Sequence, residues 1–497
     1  MADKFYITTP LYYVNASPHI GHSYTNIAAD TLARYMRKII GKDKVWLLTG
    51  TDEHGQKIEK AAAASGLDPQ DFADKTVLQF KELWKALDIS YNDFIRTTEP
   101  RHVNCVRRVL EILHQKGDIY KDKYEGWYCT PCETFWLESQ LDGKKCPDCK
   151  RPVERISEEN YFFKLSKYQG WLLEYIEKHP DFIKPDIRRN EVLSFLKLNK
   201  LTDLCVSRPK ERLGWGIPFS FSPDHVVYVW FDALVNYISA VGEFDAKGKY
   251  KSKWWPADLH LIGKDILRQH AVYWPIMLRA LEIEPPECIF AHGWWMIGED
   301  KMSKSRGNVV NPLEMVNKFG IDVYRYFLLR DVPFGSDGNF SEEAIIKRFN
   351  SDLANDLGNL LYRTLTMTEK YFQGQVPAID LNRVKLGSSG EEIKKALRLK
   401  FTLNAASGFN YYSALEETWQ LVAMANKYVE ETKPWNLAKE NKDEELKNFI
   451  RLLIDVIRVV AENVACFMPR TAEAIREQIG ADKIKKGKPL FPRIENQ

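Results

Sequence analysis

The pattern of apolar and polar positions in the first fifty residues predicts a strand, a helix and a second strand. The run KFYITTP (4–10) is short, rich in β-forming residues and closed by a proline. From His19 the apolar positions recur with a helical period that stops at Gly41. The run KVWLLTG (44–50) is almost continuously apolar, which is typical of a strand buried on both faces of a parallel sheet. The chain therefore predicts a βαβ unit at its start.

Further along the chain the pattern changes. Helices are predicted near 69–87 and 101–116, and the segment from about 116 to 226 breaks into short strands and turns. Alternation of strands and helices then resumes in three runs, VVYVWFDALVNYISAVG, LHLIGKDILRQHAVYWPIML and CIFAHGWWMIG. Residues 297–345 are rich in loop-forming residues, and helical periods dominate after them.

These segments predict an α/β protein whose parallel sheet is split by an insertion and followed by an all-α helical bundle. The predicted boundaries are 1–115 and 227–296 for the two halves of the sheet domain, 116–226 for the insertion, 297–348 for a loop region and 349–497 for the helical domain.

The composition excludes several classes of protein. A chain of 497 residues, 44% hydrophobic and 28% charged, is typical of soluble globular proteins with about three domains. No run of eighteen apolar residues occurs, and the N terminus lacks the basic and apolar regions of a signal peptide. We therefore expect a cytoplasmic protein that is neither membrane-spanning, secreted nor disordered. The net charge of +3 neither requires nor excludes a nucleic-acid partner.

Four of the eight cysteines fall within 21 residues, in the predicted insertion: Cys129, Cys132, Cys146 and Cys149. Two CxxC pairs at this spacing are typical of a tetrathiolate zinc site. All four ligand positions are filled, so no coordination position stays open for water. The sequence therefore predicts one structural Zn²⁺. Reduced thiols or disulfides are the alternatives, and disulfides are disfavoured in a chain without a secretion signal.

The motif PHIGH (18–22) lies between the first strand and the first helix. A helix N terminus offers free N–H groups and a positive dipole end, which suits phosphate. His19 and His22 are three residues apart and share a face, where they would contact phosphate oxygens. Gly21 would leave room for a nucleotide. The alternative is two histidines that merely occupy a first helical turn.

The motif KMSKSRGN (301–308) lies in the predicted loop region. Lys301, Ser303 and Lys304 bring cations and a hydroxyl close together, as a mobile clamp for polyphosphate requires. The alternative is a basic loop that only faces solvent.

PHIGH followed about 280 residues later by KMSKS resembles the signature pair of the class I aminoacyl-tRNA synthetases. Longer segments, from about residue 4 to 470, resemble methionyl-tRNA synthetases: TTPLYYVNASPHIGHSYT, LLTGTDEHGQKI, VVYVWFDALVNYISA, HLIGKDILRQHAVYWP, GWWMIGEDKMSKSRGN, NSDLANDLGNLLYRT and ETKPWNLA. The resemblance implies a Rossmann-like catalytic domain and a helical anticodon-binding domain. It also implies a ligase that forms methionyl-adenylate and pyrophosphate from methionine and ATP with Mg²⁺. The methionine is then transferred to the 3′ end of initiator and elongator tRNA with a CAU anticodon.

The resemblance also implies roles for individual residues. His19, Gly21, His22 and Ser303 would contact ATP, and Lys304, assisted by Lys301, would stabilise the charge of the transition state. The residues that match the methionine site are Leu11, Tyr13, Asp52, Trp230, Ala233, Leu234, Tyr237, Ile266 and His270.

Within this predicted pocket, the chemistry of methionine suggests separate tasks. Asp52 would hold the substrate ammonium, and Tyr237 and His270 would direct hydrogens towards the sulfur, a weak acceptor. Leu234 stands where some members of the family carry proline. Any one of these aromatic residues has an ordinary place in a core as its alternative.

Three residues of the predicted helical domain match the family's anticodon readers. Asn359 and Arg363 are four residues apart and share a helix face, and Trp435 follows a proline. An amide, a guanidinium and an indole suit the edges and faces of unstacked bases. The alternative is a polar surface pair and a core tryptophan.

Other classes of protein explain fewer of these motifs. Synthetases for isoleucine, valine and leucine carry a much larger editing insertion than the one of about 110 residues here. The synthetase for cysteine would bind zinc inside its amino-acid pocket, whereas the four cysteines here form a closed site. Small nucleotidyltransferases lack the helical domain, and a zinc-ribbon RNA-binding protein leaves PHIGH and KMSKS without a purpose. We expect the C-terminal oligonucleotide-binding domain of many members to be missing. We therefore expect a monomer, and the alternative is that a separate subunit supplies tRNA binding.

Overall fold

The computed structural model of the chain divides into two compact units, Met1–His292 and Gly293–Gln497. The residues that it describes are 3–129, 134–136, 138, 141–147, 149–297, 300–301, 310–398, 402–403 and 409–495.

The first unit opens with alternating strands and helices. In chain order they are β1 (Phe5–Thr8), β2 (Tyr12–Tyr13), α1 (Ile20–Ile40), β3 (Val45–Asp52), α2 (Gln56–Ala64), α3 (Pro69–Ala86), β4 (Asp93–Arg96) and α4 (Pro100–Gln115). The strands and helices predicted for this segment are confirmed, with ends that shift by at most two residues.

The next segment is built on antiparallel strands and two helices. Its elements are β5 (Ile119–Cys129), β6 (Thr134–Trp136), β7 (Glu154–Phe163), α5 (Gln169–Lys178), β8 (Ile183–Lys184), α6 (Asp186–Leu198), β9 (Leu204–Cys205), β10 (Ser207–Pro209) and β11 (His225–Val227). The prediction of only short strands and turns was wrong here. The strands β5 and β7 pair along Ile119–Tyr128. The helices were missed because each buries only two side chains, which leaves a weak helical period.

The first unit ends with further strands and helices. They are α7 (Val229–Leu234), α8 (Asn236–Ser239), β12 (Gly242–Phe244), β13 (Tyr250–Ser252), β14 (Leu259–Gly263), α9 (Trp274–Ala280), which follows a π-helical turn at Gln269–Tyr273, and β15 (Ile289–His292). The run VVYV was predicted to resume the strand–helix alternation, but β11 pairs antiparallel with β10. An apolar run predicts a strand without selecting its partner.

The central sheet of the first unit is parallel, in the order β4–β3–β1–β14–β15–β8, with β2 paired to the end of β3. The predicted parallel-sheet α/β fold is therefore confirmed. The strand β8 belongs to this sheet although it lies within the predicted insertion. Chain order reverses between β1 and β14, and ligands of open parallel sheets bind outside the carboxyl ends of the strands at such a reversal.

The second unit is mainly helical. Its elements are β16 (Trp295–Ile297), β17 (Asp300–Lys301), α10 (Pro312–Phe319), α11 (Ile321–Arg330), β18 (Gly338–Asn339), α12 (Glu342–Arg348), α13 (Asn359–Phe372), α14 (Ser388–Ala396), α15 (Tyr411–Thr432), α16 (Pro434–Lys439), α17 (Asp443–Val464) and α18 (Pro469–Ile479). A π-helical stretch, Phe349–Gly358, connects α12 to α13 without a break. The predicted all-α bundle is confirmed.

In its described residues, the predicted loop region at 297–345 contains the helices α10 and α11 and the start of α12. Asn311 caps α10 by accepting the N–H of Leu313 at 3.0 Å, and a proline occupies the first helical position. Gly320, with φ of 87°, ends α10 and starts α11. These start and stop signals were present in the sequence, but the loop-forming residues on both sides obscured them.

The helices of the described residues differ in length and in apolar character. Among those residues, no helix combines the length and the apolar character needed to cross a membrane.

Gly50 in β3 leaves no space for a side chain. A Cβ there would lie 1.9 Å from the Ile95 carbonyl oxygen and 2.9 Å from Leu11 Cδ2. We expect Gly50→Ala to lower the free energy of unfolding by roughly 3 kcal/mol, because neighbouring backbone must move. Gly170→Ala in α5 is the control, because its Cβ meets nothing within 4 Å and should stabilise the helix by up to about 1 kcal/mol. Urea unfolding of both variants checks this, and equal stabilities would contradict it.

Candidate functional site

The carboxyl ends of β1 and β3 hold several predicted site residues close together. The strand β2 follows β1 directly and pairs with β3, so that Tyr13 lies opposite Asp52. Asp52 is buried, and its carbonyl oxygen accepts the Val14 N–H at 3.2 Å. Leu11 packs against the main core of the unit. Leu11, Tyr13 and Asp52 therefore meet at one edge of the sheet.

His19 and His22 stand at the N terminus of α1. The Gly21 N–H donates to His19 Nδ1 at 3.1 Å, and the His19 N–H donates to His22 Nδ1 at 3.2 Å. The two rings stack with their centroids 3.8 Å apart. A ring nitrogen that accepts a hydrogen bond carries no proton, so each neutral ring is protonated at Nε2. Both rings therefore hold an Nε2–H donor at the start of the helix.

The start of α1 is electropositive and closely packed. Its first turn contains no acidic residue that would neutralise the positive end of the helix dipole. A Cβ at Gly21 would lie 3.0 Å from His19 Cε1. The glycine thus makes room for the His19 ring, and its contact with a nucleotide stays a prediction.

Tyr237 and His270 form a buried hydrogen-bonded pair. Burial lowers the pKa of His270 to about 4, so its ring is neutral at pH 7. His270 Nδ1 lies 2.9 Å from the Ile266 carbonyl oxygen, which can only accept, so the proton is on Nδ1. His270 Nε2 must then accept from the Tyr237 hydroxyl at 2.7 Å. The sequence analysis directed the hydrogens of Tyr237 and His270 to the methionine sulfur. In the structure they are directed instead to His270 Nε2 and to the Ile266 carbonyl oxygen.

His260 lies directly behind Tyr237 and was not predicted as a site residue. The two rings stack with centroids 4.1 Å apart. Trp274 Nε1 donates to His260 Nε2 at 3.1 Å, so His260 Nδ1 donates to Thr8 Oγ1 at 2.7 Å. Burial lowers the pKa of His260 well below its ordinary value. The only signal in the sequence was a polar residue within the apolar run LHLIG.

The remaining residues of the predicted methionine site lie near Tyr237. In α7, Ala233 and Leu234 are buried, and Trp230 is partly exposed. Leu234 and Tyr237 belong to the same core cluster, against which Leu11 and Ile266 pack. Leu11 follows β1 and Ile266 follows β14 in the chain, so both lie beyond the carboxyl ends of these neighbouring strands.

The KMSKS motif is largely outside the described residues. Lys301 belongs to β17, whose backbone pairs with Met296, whereas Ser303 and Lys304 lie outside the described part of the chain. The predicted clamp on polyphosphate stays a prediction.

The described cysteines of the predicted zinc site converge. The sulfur atoms of Cys129, Cys146 and Cys149 all lie within 4.8 Å of one another, and those of Cys129 and Cys149 are 3.5 Å apart. Four sulfurs at about 2.3 Å from one zinc ion lie about 3.8 Å from each other. The three thiols thus fit a metal ion, whereas Cys132 lies outside the described residues.

Asn359 and Arg363 lie on α13, and Trp435 lies in the first turn of α16. Arg363 Nη1 forms an ion pair with Glu430 at 2.6 Å. The Trp435 side chain is 40% exposed, so the alternative of a core tryptophan is wrong. The ion pair joins α13 to the last turn of α15, and α16 begins four residues after Glu430.

Comparison with known protein families explains both units. Residues 5–365 match the model for "tRNA synthetases class I (M)", and residues 391–490 match that for the "anticodon binding domain of methionyl tRNA ligase". The chain belongs to the methionyl-tRNA synthetase family. The first match spans both predicted signature motifs, and the second covers Trp435.

Relatives of this synthetase match over nearly the whole chain. The methionine–tRNA ligase of Clostridium tetani is 50% identical, with 99% of this chain and 78% of the relative covered. That of Bacillus subtilis is 45% identical with the same coverage. A structure of Mycobacterium tuberculosis methionyl-tRNA synthetase in complex with methionyl-adenylate is 39% identical, with a TM-score of 0.91 over 99% of this chain and all of the other. The apo form of that enzyme gives a TM-score of 0.84 at 35% identity, over all of this chain and 99% of the other.

The pH dependence of stability should reveal the buried state of His270 in this synthetase. Its pKa is about 4 in the folded chain against 6.5 when unfolded, so between these values the unfolded state binds more protons. The stabilisation by the neutral ring is complete above pH 6.5 and is lost as the pH falls towards 4. The loss is on the order of 3 kcal/mol.

The measurement is urea unfolding of the parent and of His270→Gln, which cannot titrate, between pH 7.5 and 4.5. The free energy of unfolding of the parent should fall more steeply than that of the variant as the pH decreases. Parallel curves would show that His270 does not titrate as its burial implies.

Proposed function

We propose that the chain activates methionine with ATP to methionyl-adenylate and pyrophosphate, and then transfers methionine to the 3′ end of tRNA with a CAU anticodon. The observation that carries this proposal is the histidine pair at the N terminus of α1. It places Nε2–H donors and an electropositive helix end beside the point where the chain order of the sheet reverses.

The first step needs no nucleophile from the protein, because the carboxylate of methionine attacks the α-phosphorus of ATP. What the protein supplies is alignment and stabilisation of the charge that develops on the phosphate oxygens. His19 and His22 would donate to these oxygens, and Lys301, Ser303 and Lys304 would hold the departing pyrophosphate. Mg²⁺, which an ATP-dependent synthetase requires, would arrive with the nucleotide.

The methionine pocket would be formed by the side chains that meet at the ends of β1, β3 and β14. Asp52, beside Tyr13, would accept the substrate ammonium. Because the hydroxyl of Tyr237 donates to His270, a hydrogen for the sulfur would leave His270 Nε2 buried without a donor. Recognition of the thioether would therefore rest mainly on shape and on contact with aromatic rings, such as those of Tyr13 and Trp230.

The experiment that tests this function is ATP–pyrophosphate exchange with each of the twenty amino acids, without tRNA. Exchange with methionine alone supports both the reaction and the pocket. Exchange with isoleucine, valine, leucine or cysteine instead would keep the chemistry and overturn the pocket. The absence of exchange with all twenty would overturn the proposed activity.

In the helical unit, Asn359, Arg363 and Trp435 would read the anticodon. The Arg363–Glu430 ion pair is partly exposed to solvent and therefore contributes little to stability, so a nucleotide base can replace the carboxylate at low cost. The exposed indole of Trp435 offers a face on which an unstacked base would lie.

Trp435→Ala should lower kcat/KM for tRNA aminoacylation by about tenfold or more, since stacking of a base contributes about 1–3 kcal/mol. Methionine-dependent pyrophosphate exchange should be unchanged, because it does not involve tRNA. Trp435→Phe is the control that keeps an aromatic face and should retain most of the tRNA activity. Equal damage to both assays would show that Trp435 serves the fold instead.

The cysteine cluster would hold one structural Zn²⁺ through Cys129, Cys132, Cys146 and Cys149. Elemental analysis of the purified protein should give close to one zinc per chain. Cys146→Ser should lose the zinc and lower the melting temperature, whereas Cys288→Ser, at a buried cysteine directly before β15, should keep the zinc. A metal-free parent that is fully folded and active would contradict the assignment.

The cytoplasmic location and the monomeric state stay predictions.

A further inference from the structure

One buried carboxylate links three separate parts of the first unit. Asp232 is fully buried, with Oδ2 at 2.7 Å from His54 Nδ1 and Oδ1 at 2.7 Å from His102 Nε2. His102 Nδ1 in turn lies 2.8 Å from Ser239 Oγ. We call these four residues the Asp232 network. None of the four was assigned a role from the sequence, although His54, Asp232 and Ser239 lie within segments that resemble the family.

The network connects the two sides of the proposed methionine pocket. His54 follows Asp52 by two residues, in the loop after β3. Asp232 lies in α7 between Trp230 and Ala233, and His102 lies in the first turn of α4. The helix α7 has six residues, too few to be stable through its own hydrogen bonds, so tertiary contacts must fix its position.

The charge of Asp232 makes these contacts directional. Burial alone would raise the pKa of its carboxyl group, but His54 and His102 lower that pKa below its ordinary value, so Asp232 is ionised. An ionised carboxylate only accepts hydrogen bonds, so each histidine must direct an N–H at it. Removal of one donor would leave part of a buried charge unsatisfied, and the short helix would shift to regain a partner.

We propose that the Asp232 network is a positioning element that sets the gap between Asp52 and the α7 side of the pocket. It thereby limits the size of the amino-acid side chain that the enzyme accepts. The proposal rests on the function proposed above. None of the four network residues is assigned a contact with substrate, so they act through the residues that they hold in place.

The test compares methionine with ethionine, which has one additional methylene on the sulfur, in ATP–pyrophosphate exchange. One methylene in a fitted apolar pocket changes kcat/KM by about 10–200-fold. His102→Leu removes the donor, and the ratio of kcat/KM for methionine over ethionine should fall by about tenfold. His102→Gln places an amide N–H near the position of Nε2 and should restore the ratio to within about twofold of the parent.

His114→Leu is the matched control on α4, because His114 is exposed and stacks on Phe221, outside the network. Its selectivity ratio should equal that of the parent. The ratio does not depend on the fraction of folded enzyme, so a loss of stability alone does not change it. If His102→Leu does not fold, His54→Ala is compared with His54→Asn, whose amide N–H lies near the position of Nδ1.

The inference is overturned if the leucine or alanine variant keeps the parental ratio, or if the amide variant loses as much selectivity as the apolar one. Both results leave the proposed function intact, because the parent then still shows methionine-dependent exchange. A parent without that exchange would instead remove the proposed function itself.

Discussion

The two halves of the parallel sheet are joined through a short contact between β1 and β14, in which Ile7 lies opposite Leu259 and Thr8 opposite His260. Side chains reinforce this contact, since Asp258 Oδ2 accepts the Tyr6 N–H at 2.7 Å and His260 Nδ1 donates to Thr8 Oγ1. The candidate site depends on it, because β1 leads into Leu11, Tyr13 and the histidines of α1, whereas β14 leads into Ile266 and His270. A shift at this contact would separate Leu11, Tyr13 and the histidines of α1 from Ile266 and His270, and would therefore divide the proposed methionine pocket.

The polar groups beneath the candidate pocket are satisfied by one another before any ligand arrives. Tyr237 donates to His270, His270 donates to the Ile266 carbonyl, and Trp274 donates to His260. Burial keeps both histidines neutral, as their lowered pKa values show. A pocket of this kind has a rigid aromatic wall without unpaired donors, and such a wall suits an unbranched thioether better than a polar side chain. The carboxylates lie elsewhere in the fold: Asp52 is the last residue of β3, and Asp232 lies in α7, five residues before Tyr237.

The sequence predicted those parts of the molecule that short-range patterns determine. The apolar runs of β1 and β3 and the helical period of α1 are patterns of this kind, and the structure agrees with them. The CxxC spacing is also short-range, and the three cysteines of it that are described, Cys129, Cys146 and Cys149, converge. The sequence could not predict which strand pairs with β11, or that β8 joins the sheet, because strand pairing depends on residues that are distant in the chain. The Asp232 network could not be predicted for the same reason, since its members lie at positions 54, 102, 232 and 239. The direction of the Tyr237 hydrogen depends on the tautomer of His270, which only the neighbouring Ile266 carbonyl reveals.

The cap of α1 shows a compromise between stability and activity. Serine, threonine, asparagine and aspartate cap helices best, yet His19 occupies this position and accepts the Gly21 N–H with its ring. A residue optimised for capping would make the helix more stable and would remove the imidazole from the place where phosphate is proposed to bind. Selection for stability alone would therefore favour the loss of this histidine. Its presence at the start of the helix indicates selection for something other than folding.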